Sequence, residues 1–175
     1  RAVLIIGDYT ARIGDPSGVS KTRPQISAEA IEANAMTYRE QANKVLDQDP
    51  EKLEVRRNSE WHDKLTFERV LALASHLTVD QLLKRDMFER RSAEGKPIYL
   101  HEFLYPLMQG FDSVALEVDG EIGASDQTFN MLVGRTLEKQ LLGREKFVLT
   151  TKLLTDPTGR KMSKSEGNVI WLSDP

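Results

Sequence analysis

"RAVLIIGDYTARIGDPSG", residues 1–18, decides how the rest of the chain is read. Its first part, "AVLIIG" at residues 2–7, is a short β-branched-rich apolar run closed by glycine. That is the pattern of a strand buried on both faces. The continuation "DYTARIGDPSGVSKTRP" carries Gly14, Pro16, Gly18 and Pro24 and reads as a turn-rich loop. In open α/β sheets ligands sit at the carboxyl ends of strands, where glycines let backbone N–H groups come close to a substrate. Asp15, between Gly14 and Pro16, then has two readings: a counter-charge for an ammonium, or the cap of an ordinary turn. No lysine follows Gly18, so this is not a phosphate loop of the Gly-Lys-Ser/Thr kind.

Outward from that loop, strands and helices alternate. Ser27 is the expected N-cap of a helix whose apolar and small residues recur at Ala28, Ile31, Ala35, Tyr38, Ala42, Val45 and Leu46. "LEVRRNSEW", residues 53–61, is expected to be a second strand leaving into a loop. Helical patterns cover residues 66–76 and 78–84, each headed by a threonine. "RRSAEGKP", residues 90–97, is expected to be a flexible loop before the buried helix "IYLHEFLYPLMQGFDSVAL" at 98–116. A brief strand "GEIG", a helix from Ser125 to Leu142 and a strand "KFVLTTKLL" complete the pass. The alternation predicts an α/β fold with a mainly parallel sheet flanked by helices.

With 175 residues the chain holds one domain with a genuine core. Hydrophobic residues make up 39% and charged residues 29%, which is the balance of a folded protein rather than a disordered one. No apolar run is long enough to span a membrane, and the first residues do not form a secretory signal. The absence of cysteine excludes disulfides and thiolate metal sites, fits a reducing cytoplasmic compartment, and leaves no protein-held metal expected. The net charge of -3 argues against nonspecific nucleic-acid binding through a basic coat. Both ends read as cut, so the chain is expected to be the middle of a longer protein.

Three further segments carry chemistry. Tyr105, Gln109 and Asp112 fall at i, i+4 and i+7, on one side of a helix. They either line a cavity suited to a ligand with an ammonium and a hydroxyl, or form a solvated stripe. "GASDQTFN", residues 123–130, joins a strand to a helix. There Gly123 permits close backbone approach and Asp126 suits sugar hydroxyls, while simple N-capping by Ser125 or Asp126 is the other reading. In "GRKMSKSEGN", residues 159–168, two lysines lie between Gly159 and Gly167. They form either a closing clamp on a triphosphate or a plain exposed loop.

Lys161-Met162-Ser163-Lys164-Ser165 is letter for letter the KMSKS signature of class I aminoacyl-tRNA synthetases. "TARIGDPSG", "YPLMQGFD" and "GASDQ" resemble, in order and spacing, the bacterial-type tyrosyl-tRNA synthetases over essentially the whole chain. The resemblance implies a Rossmann-like catalytic core with a helical connective segment at about 62–112. It implies tyrosine activation with ATP, magnesium on the phosphates, transfer to tRNA(Tyr), and a cytoplasmic homodimer formed around the helix bearing Leu100 and Phe103. Asp15, with Thr10 and Asn58, would bind the tyrosine ammonium, together with Tyr105 and Gln109. Asp112 would accept the phenol hydrogen bond. Gly123, Asp126 and Gln127 would line the junction with ATP, Gln127 near the reacting carboxylate. Lys161 and Lys164, with Met162, Ser163 and Ser165, would meet the ATP phosphates, assisted by Arg23.

The 175 residues depart from that pattern in three ways. They contain no HIGH motif or the strand that follows it, no C-terminal tRNA-binding region, and Val19 stands where many members carry a lysine or arginine. By itself the chain is therefore expected to make tyrosyl-adenylate weakly or not at all. Tryptophanyl-tRNA synthetase and a non-catalytic nucleotide- or RNA-binding module derived from a synthetase are the alternatives.

Overall fold

A computed structural model describes residues 1–17, 26–162, 167–170 and 172. Strand β1 (Ala2–Ile6) runs parallel to β2 (Leu53–Arg57), Ala2 opposite Leu53 and Ile6 opposite Arg57. Helix α1 (Ala28–Ala42) makes the crossover, and Ser27 Oγ accepts from Ala30 N as the expected cap. Strand β3 (Gly120–Ala124) runs parallel to β4 (Phe147–Thr151), with α7 (Thr128–Leu142) between them in the chain. Both are β-α-β units, as the alternation requires.

All pairing among these strands is parallel, but it forms two two-stranded ladders instead of one sheet. The β1 and β3 sides are parted by a cleft of about 670 Å³ bordered by Arg1 to Ile5, Gly120 to Ile122 and Phe147. The pattern of apolar runs predicts strands but not which edges meet, and here the edges of β1 and β3 stand apart.

Between the ladders the chain is helical: α2 (Ser59–His62), α3 (Phe67–Ala74), α4 (Val79–Leu83), α5 (Asp86–Ala93) and α6 (Leu100–Leu116). Thr66 caps α3, and Thr78 with Gln81 forms a full capping box on α4. Two expectations are met only in part here. The stretch 53–61 stops being a strand at Arg57, because Asp8 accepts from Ser59 N and Ser59 Oγ and so caps the turn of α2. The segment 90–97 begins inside α5 rather than as a loop, since Arg91 is buried in a bidentate pair with Glu102 of α6 and Phe88 is fully buried beside it.

The core lies where α6 crosses α7, built from Leu107, Met108, Phe111, Val114, Val133 and Leu137 with Leu73 of α3. Close approach depends on Gly110 and Gly134: a Cβ on Gly110 would stand 2.8 Å from Val133 Cγ1 and 3.0 Å from Gly134 N. This contact fixes the rotation of α6, and with it the direction in which its polar residues face.

Candidate active site

The polar face of α6 meets two separate clusters. At one end Asp112, only 6% exposed, accepts from Trp61 Nε1 and His62 Nε2, both at 2.8 Å from its Oδ1. Its Oδ2 has Asn58 Nδ2 at 3.4 Å. Asn58 is fully buried, donates to Thr10 Oγ1 at 3.1 Å and accepts from Tyr9 N at 2.9 Å. The short α2 delivers Trp61 and His62 together, because Asp8, accepting from Ser59 N, sets where its single turn begins.

At the other end the "GDPS" turn meets the start of α7. Asp15 Oδ1 accepts from Ser17 N at 2.8 Å, closing an Asx turn, while its Oδ2 accepts from Gln127 Nε2 at 2.9 Å. Gln127 Oε1 and Gln109 Oε1 both accept from Asn130 Nδ2, at 3.1 and 2.9 Å. Asn130 Oδ1 in turn accepts from Arg85 Nη2 at 3.2 Å, and Arg85 also donates to Ser17 Oγ at 2.9 Å. Burial pushes the Arg85 guanidinium down to about 10, with Asp15 and Tyr105 acting in the opposite direction. It therefore stays charged at neutral pH and lies over the Phe129 ring at 4.5 Å.

A third group ties the chain's last described turns to this site. Asp126 pairs with Lys161 Nζ, and Lys161 is bridged to Thr155 across a tight hairpin. Asp156 organises that hairpin by accepting from Thr158 N, Thr158 Oγ1, Arg160 N and Asn168 Nδ2. These donors hold its carboxyl down at about 2. Met162 N donates to Leu154 O at 2.8 Å. A cavity of about 770 Å³ opens beside Asp126, lined also by Ser125, Thr128, Phe129, Lys84 and Arg90. It borders this end of the site and not the space between Asp15 and Asp112.

The residues singled out by the sequence are thus distributed unevenly. Asp15, Gln109 and Gln127 belong to one network, and Tyr105 lies on the same helix face and acts on Arg85. Asn58 and Thr10, expected beside Asp15, hydrogen-bond each other at the Asp112 end. Gly123 is packed from within: a Cβ there would meet Met131 Sδ at 3.0 Å. No side chain caps α7, so the capping reading of Ser125 and Asp126 gives way to the Lys161 pair. Arg23, Ser163, Lys164 and Ser165 lie outside the described residues, as does Val19.

Sequence reasoning passed over Trp61, His62, Arg85 and Asn130. Asn130 stands three places after Gln127 at a helix start, which was a usable signal. Nothing periodic marks Arg85, whose partners are 68 and 45 residues away.

Comparison with known proteins adds a family and a set of relatives. The family model described as class I tRNA synthetases (W and Y) matches residues 1–175. A tyrosine-tRNA ligase of Thermotoga maritima is 51% identical over 174 residues, which is 99% of this chain and 43% of that protein. One from Deinococcus radiodurans is 50% identical over 175 residues, again 43% of its length. The chain thus spans well under half of these relatives. Among solved structures, a C-terminally truncated mitochondrial tyrosyl-tRNA synthetase of Aspergillus nidulans matches with TM-score 0.72 at 25% identity, covering 94% of this chain and 54% of that one. The Archaeoglobus fulgidus tyrosyl-tRNA synthetase complexed with L-tyrosine matches with TM-score 0.63 at 26% identity, covering 99% and 50%. A Campylobacter jejuni tryptophanyl-tRNA synthetase, at 18% identity and TM-score 0.63, shares the fold.

Proposed function

The chain belongs to the class I tRNA synthetases of the tryptophan and tyrosine group, and from that premise we propose that it supplies the amino-acid-activating site of a tyrosine-tRNA ligase. One observation carries the reading. A single helix face presents a polar network at Gln109 and a buried carboxylate at Asp112, and so offers one end to an ammonium and the other to a hydroxyl. Asp15 is the counter-charge for the ammonium, oriented by Gln127, and Tyr105 and Gln109 are proposed to contact the ammonium as well. Asp112, with Asn58 and Thr10 behind it, accepts the hydrogen bond of the substrate phenol. Relatives about 50% identical and named for tyrosine support this choice of amino acid.

In the reaction a tyrosine carboxylate oxygen attacks the ATP α-phosphorus, and the bond to the β-phosphate oxygen breaks with pyrophosphate leaving. A terminal ribose hydroxyl of tRNA(Tyr) then attacks the adenylate carbonyl, releasing AMP and a proton. Gln127 lies between Asp15 and the start of α7 and so holds the reacting carboxylate's end of the substrate. Asp126 addresses the ribose beside Gly123, and Lys161 with Met162 brings positive charge to the phosphates. The same phosphate role is proposed for Lys164, Ser163 and Ser165, and for Arg23. Catalysis rests on orientation and charge and uses no covalent nucleophile. Among the described residues no group of three or more His, Asp or Glu side chains gathers to hold a metal, so magnesium is proposed to travel with the phosphates.

The protein is proposed to act in the cytoplasm as a homodimer. Among the described residues no helix is long and apolar enough to cross a membrane, and Leu100 at the start of α6 is 77% exposed. ATP/pyrophosphate exchange by the complete gene product tests the assignment. Exchange dependent on L-tyrosine is expected, and exchange with L-tryptophan alone overturns it in favour of the sister enzyme.

A further inference from the structure

His62 is the least expected member of the Asp112 cluster. It is 1% exposed and boxed by rings, stacked on Tyr9 at 4.9 Å and tilted against Phe111 at 5.9 Å. An apolar side chain would satisfy such a box without burying polar atoms. The imidazole instead makes one polar contact, Nε2 to Asp112 Oδ1 at 2.8 Å, while Nδ1 is buried without a hydrogen-bond partner among the described residues. Carboxylate oxygens accept, so Nε2 carries the proton, and the unpartnered Nδ1 is best left as a lone pair. His62 thus serves as an N–H donor to Asp112 Oδ1.

Its effect on Asp112 is directional. Trp61 Nε1 and His62 Nε2 both point at Oδ1, and two ring donors on one oxygen fix the plane of the carboxylate. Among the described residues the other oxygen, Oδ2, has only the long 3.4 Å contact from Asn58. We propose that His62 is a positioning residue for amino-acid specificity: by occupying Oδ1 it commits Oδ2 to the hydroxyl of the substrate ring and so favours a phenol over an unsubstituted phenyl group. This deepens the tyrosine reading of the pocket and rests on it.

The test compares variants of the complete gene product in ATP/pyrophosphate exchange with L-tyrosine and with L-phenylalanine. His62→Phe keeps a ring in the box and deletes the donor, and His62→Gln restores an N–H at similar reach. For His62→Phe, KM for tyrosine is expected to rise about tenfold with kcat changed by less than about twofold. The tyrosine-to-phenylalanine ratio of kcat/KM falls with it, because phenylalanine has no hydroxyl to lose. His62→Gln recovers most of the ratio. His62→Leu carries the same expectation should the phenylalanine variant not fold, as followed by thermal unfolding. A folded donor-less variant that keeps the wild-type ratio, or loses activity equally toward both amino acids, overturns the inference alone. Wild-type exchange indifferent to tyrosine overturns the pocket reading and the inference together.

Discussion

Two aspartates each organise one end of this molecule, and they do so under opposite conditions. Asp112 is buried, and its charge is met by ring N–H groups that are themselves packed among Tyr9, Trp61 and Phe111. Asp156 sits on the outer hairpin and is met by four donors from its own and neighbouring turns, Thr158, Arg160 and Asn168. A buried carboxylate cannot exchange its partners for water, so its geometry is fixed and unpairing it is costly. The half-buried one borders solvent, which can take over from a lost donor more readily than in the interior. The contrast suits the proposed roles: recognition of a ring hydroxyl needs a rigid acceptor, whereas delivery of Lys161 to Asp126 needs a turn of defined shape and little more.

The comparison can be broken from either side. Asp112→Asn keeps the volume and an oxygen for the ring N–H groups, but puts an NH2 in place of Oδ2, where it opposes the Asn58 amide and can no longer accept from a substrate hydroxyl. It should lower kcat/KM for tyrosine about a hundredfold and unfolding free energy by about 1–3 kcal/mol, read by exchange kinetics and urea denaturation. Asp156→Ala should lower kcat about tenfold through a misplaced Lys161, leave KM for tyrosine unchanged, and lower the thermal midpoint by less than Asp112→Asn does. A matching loss of stability at both sites would remove the distinction between them.

The smallest effect is one of pH. Asp156 is held at about 2 against an ordinary 3.8, so its folded state favours the charged form. The hairpin contribution is therefore complete above the ordinary value and is lost as pH falls through about 2. The amide proton shifts of Thr158 and Arg160, followed by NMR on acidification, should titrate near the lower figure. A midpoint at the ordinary value would mean that the four donors do not hold the charge.

Much of this was legible in the chain. The caps at Ser27, Thr66 and Thr78 follow from spacing because their partners lie within a few residues, and the shared α6 face of Tyr105, Gln109 and Asp112 follows from helical periodicity, though not what it meets. What stayed hidden depends on contacts far apart in sequence. Arg91 read as part of a flexible loop until Glu102 gave it a buried partner, and His62 read as an unremarked residue until Asp112, 50 positions on, came to meet it. The clustering of Asn58 with Asp112 instead of Asp15 has the same origin, 54 residues of separation that no local pattern encodes. The division into two parallel ladders is likewise a matter of which edges meet, and alternating apolar runs are silent on that.

The central claim is that Asp112 and its ring donors form an acceptor for a substrate hydroxyl. ATP/pyrophosphate exchange by the complete wild-type gene product with L-phenylalanine in place of L-tyrosine tests it most directly. The account predicts a kcat/KM for phenylalanine at least about a hundredfold lower, the cost of burying this carboxylate without its partner. Phenylalanine supporting exchange as well as tyrosine would contradict it.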